Sequence, residues 1–170
     1  MYKLAISTSG EYVSAAIFEE KLLASFVSKT NKGSTGILLN QINELFDKTK
    51  ASRNDLNALY LDVGPGYYTG LRIGLSVSQG LGAVLGIPII PVNGLDALAF
   101  AAHTSHRKIC SLIDIKRNEF AYCEYVPVPG GVTRESDPQV ISVENLEIKL
   151  SDDADKKARD AMNNTNTFGG

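Results

Sequence analysis

A glycine-rich turn at residues 64–70 is the segment best suited to bind a ligand, because it follows an apolar run and precedes a helical pattern. A strand, a glycine turn and a helix together present backbone N–H groups to an anion at the helix N-terminus. Two common nucleotide patterns do not fit. A Walker A loop has Gly-Lys-Ser/Thr after four spacer residues, whereas Leu71 and Arg72 follow Gly70, and the Gly-x-Gly-x-x-Gly fingerprint is one residue shorter than this turn. The turn is therefore either a different anion cradle or a tight turn whose Thr69 caps the next helix.

Arg72 is an unusual residue for its predicted place in the first turn of that helix. The helix macrodipole disfavours a cation at this end by several tenths of a kcal/mol. The sequence therefore predicts an anionic partner for Arg72, either a carboxylate from another element or chain, or a bound phosphate.

Other polar residues have weaker patterns. His103 and His106 lie three residues apart but have no nearby acidic or cysteine partner, which favours two exposed histidines over a metal site. Asp62 ends an apolar run beside the glycine turn, where a solvated strand end is favoured over a catalytic role. The hydroxyl-rich residues 7–10 form a turn that has room for a phosphate. Alternating charges at residues 114–119 are typical of a solvated turn, with a functional role as the alternative.

These residues must be positioned by a mixed sheet with helices. Alternating patterns predict three opening strands that form an antiparallel meander, which excludes a dinucleotide-binding fold because that fold begins strand, helix, parallel strand. Apolar runs and helical periodicities then predict a β-β-β-α-β-α-β-α order. The predicted strands are 2–8, 12–18, 22–28, 58–63 and 87–92, and the helices are 34–48, 70–85 and 95–102, the last capped by Asn93.

A second, smaller lobe follows. Residues 108–114 and 119–126 are predicted strands, 127–131 a loop and 139–143 a further strand, which divides the chain into lobes at 1–103 and 104–150 and a polar, flexible tail at 151–170. If the hairpin turns at 115–118, Cys110 and Cys123 face each other. Two buried, reduced thiols are the favoured interpretation of this pair.

Small residues recur every four positions along the helix after the glycine turn. Each interior glycine costs about 1 kcal/mol relative to alanine, so the repeat requires a compensating gain. The middle three, Gly74, Ser78 and Gly82, form one stripe along which another element can approach closely. That element is either the chain's own sheet or a helix of a partner chain.

Composition limits the function classes. The chain has 170 residues, of which 44% are hydrophobic and 21% charged, as expected for an ordinary globular protein. Its net charge of −2 provides no basic surface for binding a nucleic-acid backbone unaided. No run approaches the ~18 apolar residues of a membrane span, and the first residues lack a signal-peptide layout, so a cytoplasmic location is expected.

The glycine turn also carries a resemblance to a known family. Residues 64–74 resemble the signature of the bacterial TsaB (YeaZ) family, which usually reads Gly-Pro-Gly-Ser-Phe-Thr-Gly-Leu-Arg-Ile-Gly and differs here only at two tyrosines. Residues 4–9, 85–99 and 113–119 are also similar, and the resemblance covers residues 3–146 in order. The signature positions taken as functional are Gly64, Pro65, Gly66, Tyr67, Tyr68, Thr69, Gly70 and Arg72.

The resemblance implies an actin-like, ribonuclease-H-like α/β fold and a role in making threonylcarbamoyladenosine on tRNA. It implies a non-catalytic protein that pairs with the metal-bearing transferase TsaD through the first two helices, is joined by the ATPase TsaE, and meets tRNA only indirectly. ATP-Mg and the metal then belong to the complex and not to this chain, and self-pairing occurs when TsaD is absent. The partner interface implied is Leu38, Ile42, Leu45, Gly74, Ser78 and Gly82.

Two departures from the family pattern affect these expectations. The family usually has Asp where this chain has Ser7, which weakens direct handling of ATP-Mg, and the chain is shorter than the family, which reduces the second lobe and puts TsaE recruitment in doubt. The alternatives are an actin-like nucleotide-binding enzyme, such as a small kinase or ATPase, and less favourably a metallopeptidase relative.

Overall fold

The computed structural model describes residues 1–29, 34–146 and 148–149. Within them the chain forms a five-stranded sheet, a four-stranded sheet and three main helices. The predicted tail at 151–170 lies outside the described residues.

The first sheet begins as the predicted antiparallel meander. Strands β1 (Tyr2–Ser7), β2 (Tyr12–Phe18) and β3 (Leu22–Lys29) are joined by short turns, and β4 (Leu56–Asp62) and β5 (Ile89–Val92) then add in parallel on the other side of β1. The strand order is β3-β2-β1-β4-β5. Because β1 and β4 are parallel, the turns after their carboxyl ends lie at the same edge of the sheet.

Two helices cover one face of this sheet. Helices α1 (Ser34–Thr49) and α2 (Tyr68–Leu85) pack on the inward side chains of the strands and form one core cluster with them. Leu4 and Leu59 of the sheet and Leu38 and Leu45 of α1 are fully buried there. Both helices begin and end within two residues of their predicted bounds. Helix α2 ends at Leu85, and the next residue, Gly86, has a positive φ of 65° and forms the usual left-handed helix cap.

The second sheet contains β6 (Ile109–Lys116), β7 (Glu119–Val128), β8 (Gly131–Arg134) and β9 (Gln139–Ser142), with β8 and β9 both paired to β7. Helix α3 (Gly94–Ala101) packs on it, and the Asn93 side chain accepts hydrogen bonds from the N–H groups of residues 95 and 96, as predicted. The sequence does not predict strand β8, because the prolines and glycines of residues 127–131 indicate a loop there.

The predicted alignment of the two cysteines is wrong. Cys110 lies opposite Glu124, and Cys123 lies opposite Ser111. The reason is that the chain turns between the paired residues Lys116 and Glu119, which is later than the predicted turn, and the one-residue register shift between Asp114 and Lys116 offsets only part of this difference. Cys123 is buried, whereas Cys110 is exposed, so the interpretation of two buried thiols is also wrong for Cys110. A single-residue shift in register moves a side chain to the other face of the sheet.

None of the helices that the structure describes combines the length and apolar character that a bilayer span requires.

Candidate functional site

The site is centred on Asp62, at the edge where β1 and β4 end. One carboxylate oxygen, Oδ2, accepts hydrogen bonds from the hydroxyls of Ser7 (2.7 Å) and Ser9 (2.5 Å), and Oδ1 accepts one from the N–H of Gly64 (2.8 Å). The Asp62 side chain is half-buried. This carboxylate therefore ties the hydroxyl-rich turn after β1 to the glycine turn after β4, a contact that sequence spacing does not indicate because more than fifty residues separate the partners.

An acidic group is thus present at the turn after β1, although Ser7 is not acidic. The family usually has Asp where this chain has Ser7. In the structure the carboxylate of Asp62, on the neighbouring strand β4, accepts a hydrogen bond from Ser7 and provides the negative charge there. The hypothesis that Asp62 is merely a solvated strand end is wrong, since three donors hold it.

The glycines of the signature are required by close packing against the turn after β1. A Cβ atom on Gly66 would overlap the backbone oxygen of Ser9, and a Cβ on Gly70 would overlap that of Thr8. A Cβ on Gly74 would overlap the Thr8 hydroxyl oxygen, which donates to the Gly70 carbonyl at 2.7 Å. The glycine turn and the start of α2 therefore lie directly on the backbone of the preceding turn.

Backbone groups of the glycine turn are already engaged. The N–H of Tyr67 donates to the carbonyl of Ser9 at 2.6 Å, and the N–H of Gly94 donates to the carbonyl of Gly64 at 2.8 Å. The peptide bond between Gly64 and Pro65 is cis. Tyr67 occupies the cap position of α2 without a side-chain hydrogen bond, and Thr69 lies inside the helix and is exposed, so the prediction that Thr69 caps α2 is wrong.

Arg72 is exposed at the start of α2, and its guanidinium carbon lies 5.3 Å from the centre of the Tyr68 ring. Within the described part of the chain no carboxylate forms an ion pair with it. The cation–π contact offsets part of the unfavourable helix position. The anionic partner expected for Arg72 is therefore not a carboxylate of the described residues, and a partner chain or a bound phosphate stays a prediction.

The charged hairpin tip contacts the signature turn. The Lys116 Nζ lies 4.4 Å from the centre of the Tyr67 ring and 3.7 Å from carboxylate oxygens of Glu11 and Asp114. A hydrogen bond with the Tyr67 side chain is the main cause that raises the pKa of Lys116. Residues 116–118 all have positive φ, near 60–70°, which L-residues rarely adopt in succession. The tip is therefore more than a solvated turn, since it joins the second sheet to the signature.

The predicted partner-interface residues lie inside the subunit. Leu38, Ile42 and Leu45 belong to the core between α1 and the first sheet. On α2, Gly74 and Ser78 are buried, and a Cβ on Gly82 would lie 3.1 Å from the Ile89 side chain. The stripe faces the chain's own sheet, so the prediction that these six residues contact a partner is wrong.

The opposite side of α2 is exposed, and we call it the outer α2 face. It contains small residues that give a low surface and apolar residues at its margins. Leu75 is 45% exposed, Val84 is 83% exposed, and a Cβ on Gly80 would meet no atom within 4 Å. The exposed members of the face are Tyr68, Thr69, Arg72, Leu75, Ser76, Gln79, Gly80, Ala83 and Val84.

The other face of the first sheet is an open groove of about 600 Å³, which we call the sheet groove. Its floor carries small side chains of β1 and β2, such as Ala5, Ser14 and Ala16, and Leu98 of α3 lines it as well. Asp62 lines the same groove. A second cavity of about 810 Å³ shares Tyr60, Val92 and Ala97 with it and reaches the second sheet; its remaining lining residues are Phe18, Asp96, Phe100, Tyr125, Val132 and Arg134.

Asp96 links α3 to the second sheet. Its two carboxylate oxygens accept hydrogen bonds from Nε and a terminal nitrogen of Arg134, at 2.7 and 2.6 Å, and Oδ1 also accepts one from the Tyr125 hydroxyl at 2.7 Å. The hydrogen bond from Arg134 is the main cause that lowers the pKa of Asp96. Burial is the main cause that raises the pKa of Tyr125.

The lowered pKa of Asp96 predicts a specific loss of stability in acid. The ionised carboxylate is favoured in the folded state, so its contribution is present above the unfolded pKa of about 4 and disappears as the pH falls through the lower folded value. We expect the urea midpoint of Asp96→Asn to fall less than that of the wild type between pH 5 and pH 2. Asp47→Asn, at an exposed position on α1, is the control and should follow the wild type. Parallel midpoints for wild type and Asp96→Asn would contradict this prediction.

The two histidines remain separate. His103 Nδ1 lies 2.7 Å from the carbonyl oxygen of Phe100, and its ring stacks on the Phe100 ring with the centres 4.9 Å apart, whereas His106 is exposed. Among the described residues, no group of three or more His, Cys, Asp or Glu side chains has a metal-binding arrangement.

The family model and the relatives that this chain matches are described by related names. Residues 26–168 match the family model described as TsaD: tRNA N6-adenosine threonylcarbamoyltransferase. The tRNA threonylcarbamoyladenosine biosynthesis protein TsaB of Buchnera aphidicola subsp. Schizaphis graminum is 29% identical over 86% of this chain and 71% of its own length. TsaB of Haemophilus influenzae is 30% identical over 72% of this chain and 53% of its own length, and TsaB of Escherichia coli is 26% identical over 81% and 61%.

The solved structure of YeaZ from Pseudomonas aeruginosa superposes with a TM-score of 0.75 at 26% identity, covering 83% of this chain and 67% of the YeaZ chain. The actin-like, ribonuclease-H-like α/β fold predicted from the sequence is thereby confirmed. The chain spans between 53 and 71% of the length of the three TsaB proteins.

Proposed function

The chain belongs to the family of the TsaD model and, within it, to the TsaB (YeaZ) proteins, and from this premise we propose that it acts in the biosynthesis of threonylcarbamoyladenosine in tRNA. The observation that carries the proposal is the likeness to several TsaB proteins across most of the chain, including the signature turn. The steric overlap that a Cβ would cause at Gly66, Gly70 and Gly74 supports it, because it gives these signature glycines a physical reason.

Within that pathway we assign the chain a non-catalytic role, as the partner of a TsaD-type transferase. The glycine turn has the geometry of an anion site, but the carboxylate of Asp62 accepts the N–H of Gly64 and places a negative charge at the turn. A carboxylate at this position repels a phosphate. The turn therefore serves to hold two loops together, and the transfer chemistry, with ATP-Mg and metal, belongs to other members of the complex.

The surface that fits this partner is the outer α2 face. Small residues let another helix approach closely. The side chains of Leu75 and Val84 are exposed to water in the free chain, and a partner that covers them would bury apolar surface. Arg72, which has no carboxylate partner in the described chain, lies on the same face and provides a positive charge for an acidic group of the partner. The proposed interface thus remains on the second helix but uses the side opposite to the buried stripe.

The affinity of the chain for a purified TsaD protein tests this surface. Gly80→Leu places a bulky side chain in open space, so it should leave the fold intact but prevent close helix approach. Val84→Lys places a charge in the apolar margin. Because a few residues carry most of the affinity of an interface, we expect each variant to weaken the complex at least about tenfold, measured by calorimetry.

Val140→Lys is the matched control, since Val140 is an exposed apolar residue of β9 in the other lobe. It should bind as the wild type does. If Gly80→Leu and Val84→Lys both bind the TsaD protein as tightly as the wild type does, the outer α2 face is not the interface. If the wild-type chain forms no complex with the TsaD protein, the proposed partnership is refuted. The chain alone should form no threonylcarbamoyladenosine on tRNA, and product formation without a TsaD protein would refute the non-catalytic role.

A further inference from the structure

The sheet groove has the features of a small-molecule site that the proposed function does not use. Its volume of about 600 Å³ lies within the usual range for ligand pockets, roughly 300–1,000 Å³. The lining is mostly apolar, from small floor residues and from side chains such as Val27, Leu98 and Ile113. Polar groups are concentrated at the end where Asp62, Ser7 and Ser9 meet.

The charge at this end is not balanced by the protein. All three donors to Asp62 are neutral, namely two hydroxyls and one backbone N–H. Among the residues that the structure describes, no lysine, arginine or histidine forms an ion pair with this carboxylate. Desolvation penalises an isolated charge, so a cation from a ligand would stabilise this half-buried carboxylate.

The acceptors at this end suit an N–H donor with several hydrogens. The carboxylate keeps unused acceptor capacity after three hydrogen bonds, and the oxygens of Ser7 and Ser9, which donate to it, can still accept. A primary ammonium has three donors on a compact charge, and its hydrogen bonds to a carboxylate are about twice as strong as neutral ones. An anion is repelled at the same place.

We propose that the sheet groove binds a small organic cation, a primary ammonium attached to an apolar body, with the ammonium on Asp62 and the body on the floor formed by Ala5, Ser14 and Ala16. The apolar body gains from leaving water, and the ammonium neutralises Asp62, the one acidic side chain among the described residues that line the groove. This site lies on the sheet face opposite α1 and α2 and is therefore independent of the outer α2 face.

An NMR titration of the ¹⁵N-labelled chain with n-butylammonium and with 1-butanol tests the proposal. The two probes have similar size and shape but differ in charge. We expect saturable shifts of the Ser9 and Gly64 amide signals, with n-butylammonium binding at least about tenfold more tightly than 1-butanol. In Asp62→Asn the preference should disappear, so that both probes bind about equally, while Asp47→Asn should keep it.

Ala16→Leu provides a second variant that leaves the Asp62 hydrogen bonds in place. The larger side chain fills the groove floor, so binding of both probes should be lost while the spectrum stays well dispersed. Equal affinities of the two probes for the wild type, shifts that do not saturate, or undiminished n-butylammonium binding by Ala16→Leu would each overturn the proposal. So would an ammonium preference that persists in Asp62→Asn.

Discussion

Gly70→Ala is expected to destabilise the protein by about 3 kcal/mol or more, although it adds a single methyl group. The added Cβ would overlap the backbone oxygen of Thr8, and a backbone atom cannot rotate away as a side chain does. Either α2 or the turn after β1 must shift, which breaks the hydrogen bond from the Thr8 hydroxyl to the Gly70 carbonyl. The measurement is the free energy of unfolding from urea titration.

Gly80→Ala is the matched control in the same helix. Its Cβ would meet no atom within 4 Å, so the change should stabilise the chain by up to about 1 kcal/mol through helix propensity alone. If both alanine variants change stability by the same amount, the close packing of the signature on the turn after β1 is not what the glycine provides.

Leu38→Ala is expected to lower the free energy of unfolding by about 2–5 kcal/mol, as is usual when a fully buried leucine is truncated. Leu38 has no exposed surface and lies in the core cluster that joins α1 to the first sheet. The size of the loss separates a core residue from the interface residue that the sequence predicted.

The neighbouring Leu39, which is 41% exposed, serves as the control, and Leu39→Ala should cost less than about 1 kcal/mol. The two values come from the same helix and the same chemical change. A small loss for Leu38→Ala would show that α1 is not held on the sheet in the way that the structure indicates.

Much of the fold could be predicted because each element carries a local pattern. The alternation in β1 to β3 and the cap at Asn93 are properties of a few neighbouring residues. Strand β8 and the cysteine alignment could not be predicted in this way. Strand β8 is stabilised by its pairing with β7, and the cysteine alignment depends on where the hairpin turns and on one register shift near Lys116.

In the candidate site, too, local patterns could be predicted from the sequence, whereas contacts between distant residues could not. Periodicity correctly placed Gly74, Ser78 and Gly82 on one stripe, but it does not say which side of a helix faces the sheet. That choice depends on the neighbours, here Thr8 and Ile89, which are distant in sequence. The role of Asp62 was missed for the same reason, since Ser7 and Ser9 reach it only after β1 and β4 have paired.

The parallel pairing of β1 with β4 also has a consequence for the order of folding. The meander of β1 to β3 and the hairpin of β6 and β7 join segments that are close in the chain, whereas β1 and β4 are separated by β2, β3 and α1. Closing such a long loop loses more chain entropy and slows assembly. The signature turn is thus expected to acquire its native shape late, and a nascent chain interrupted before residue 62 would have a meander but no complete central sheet.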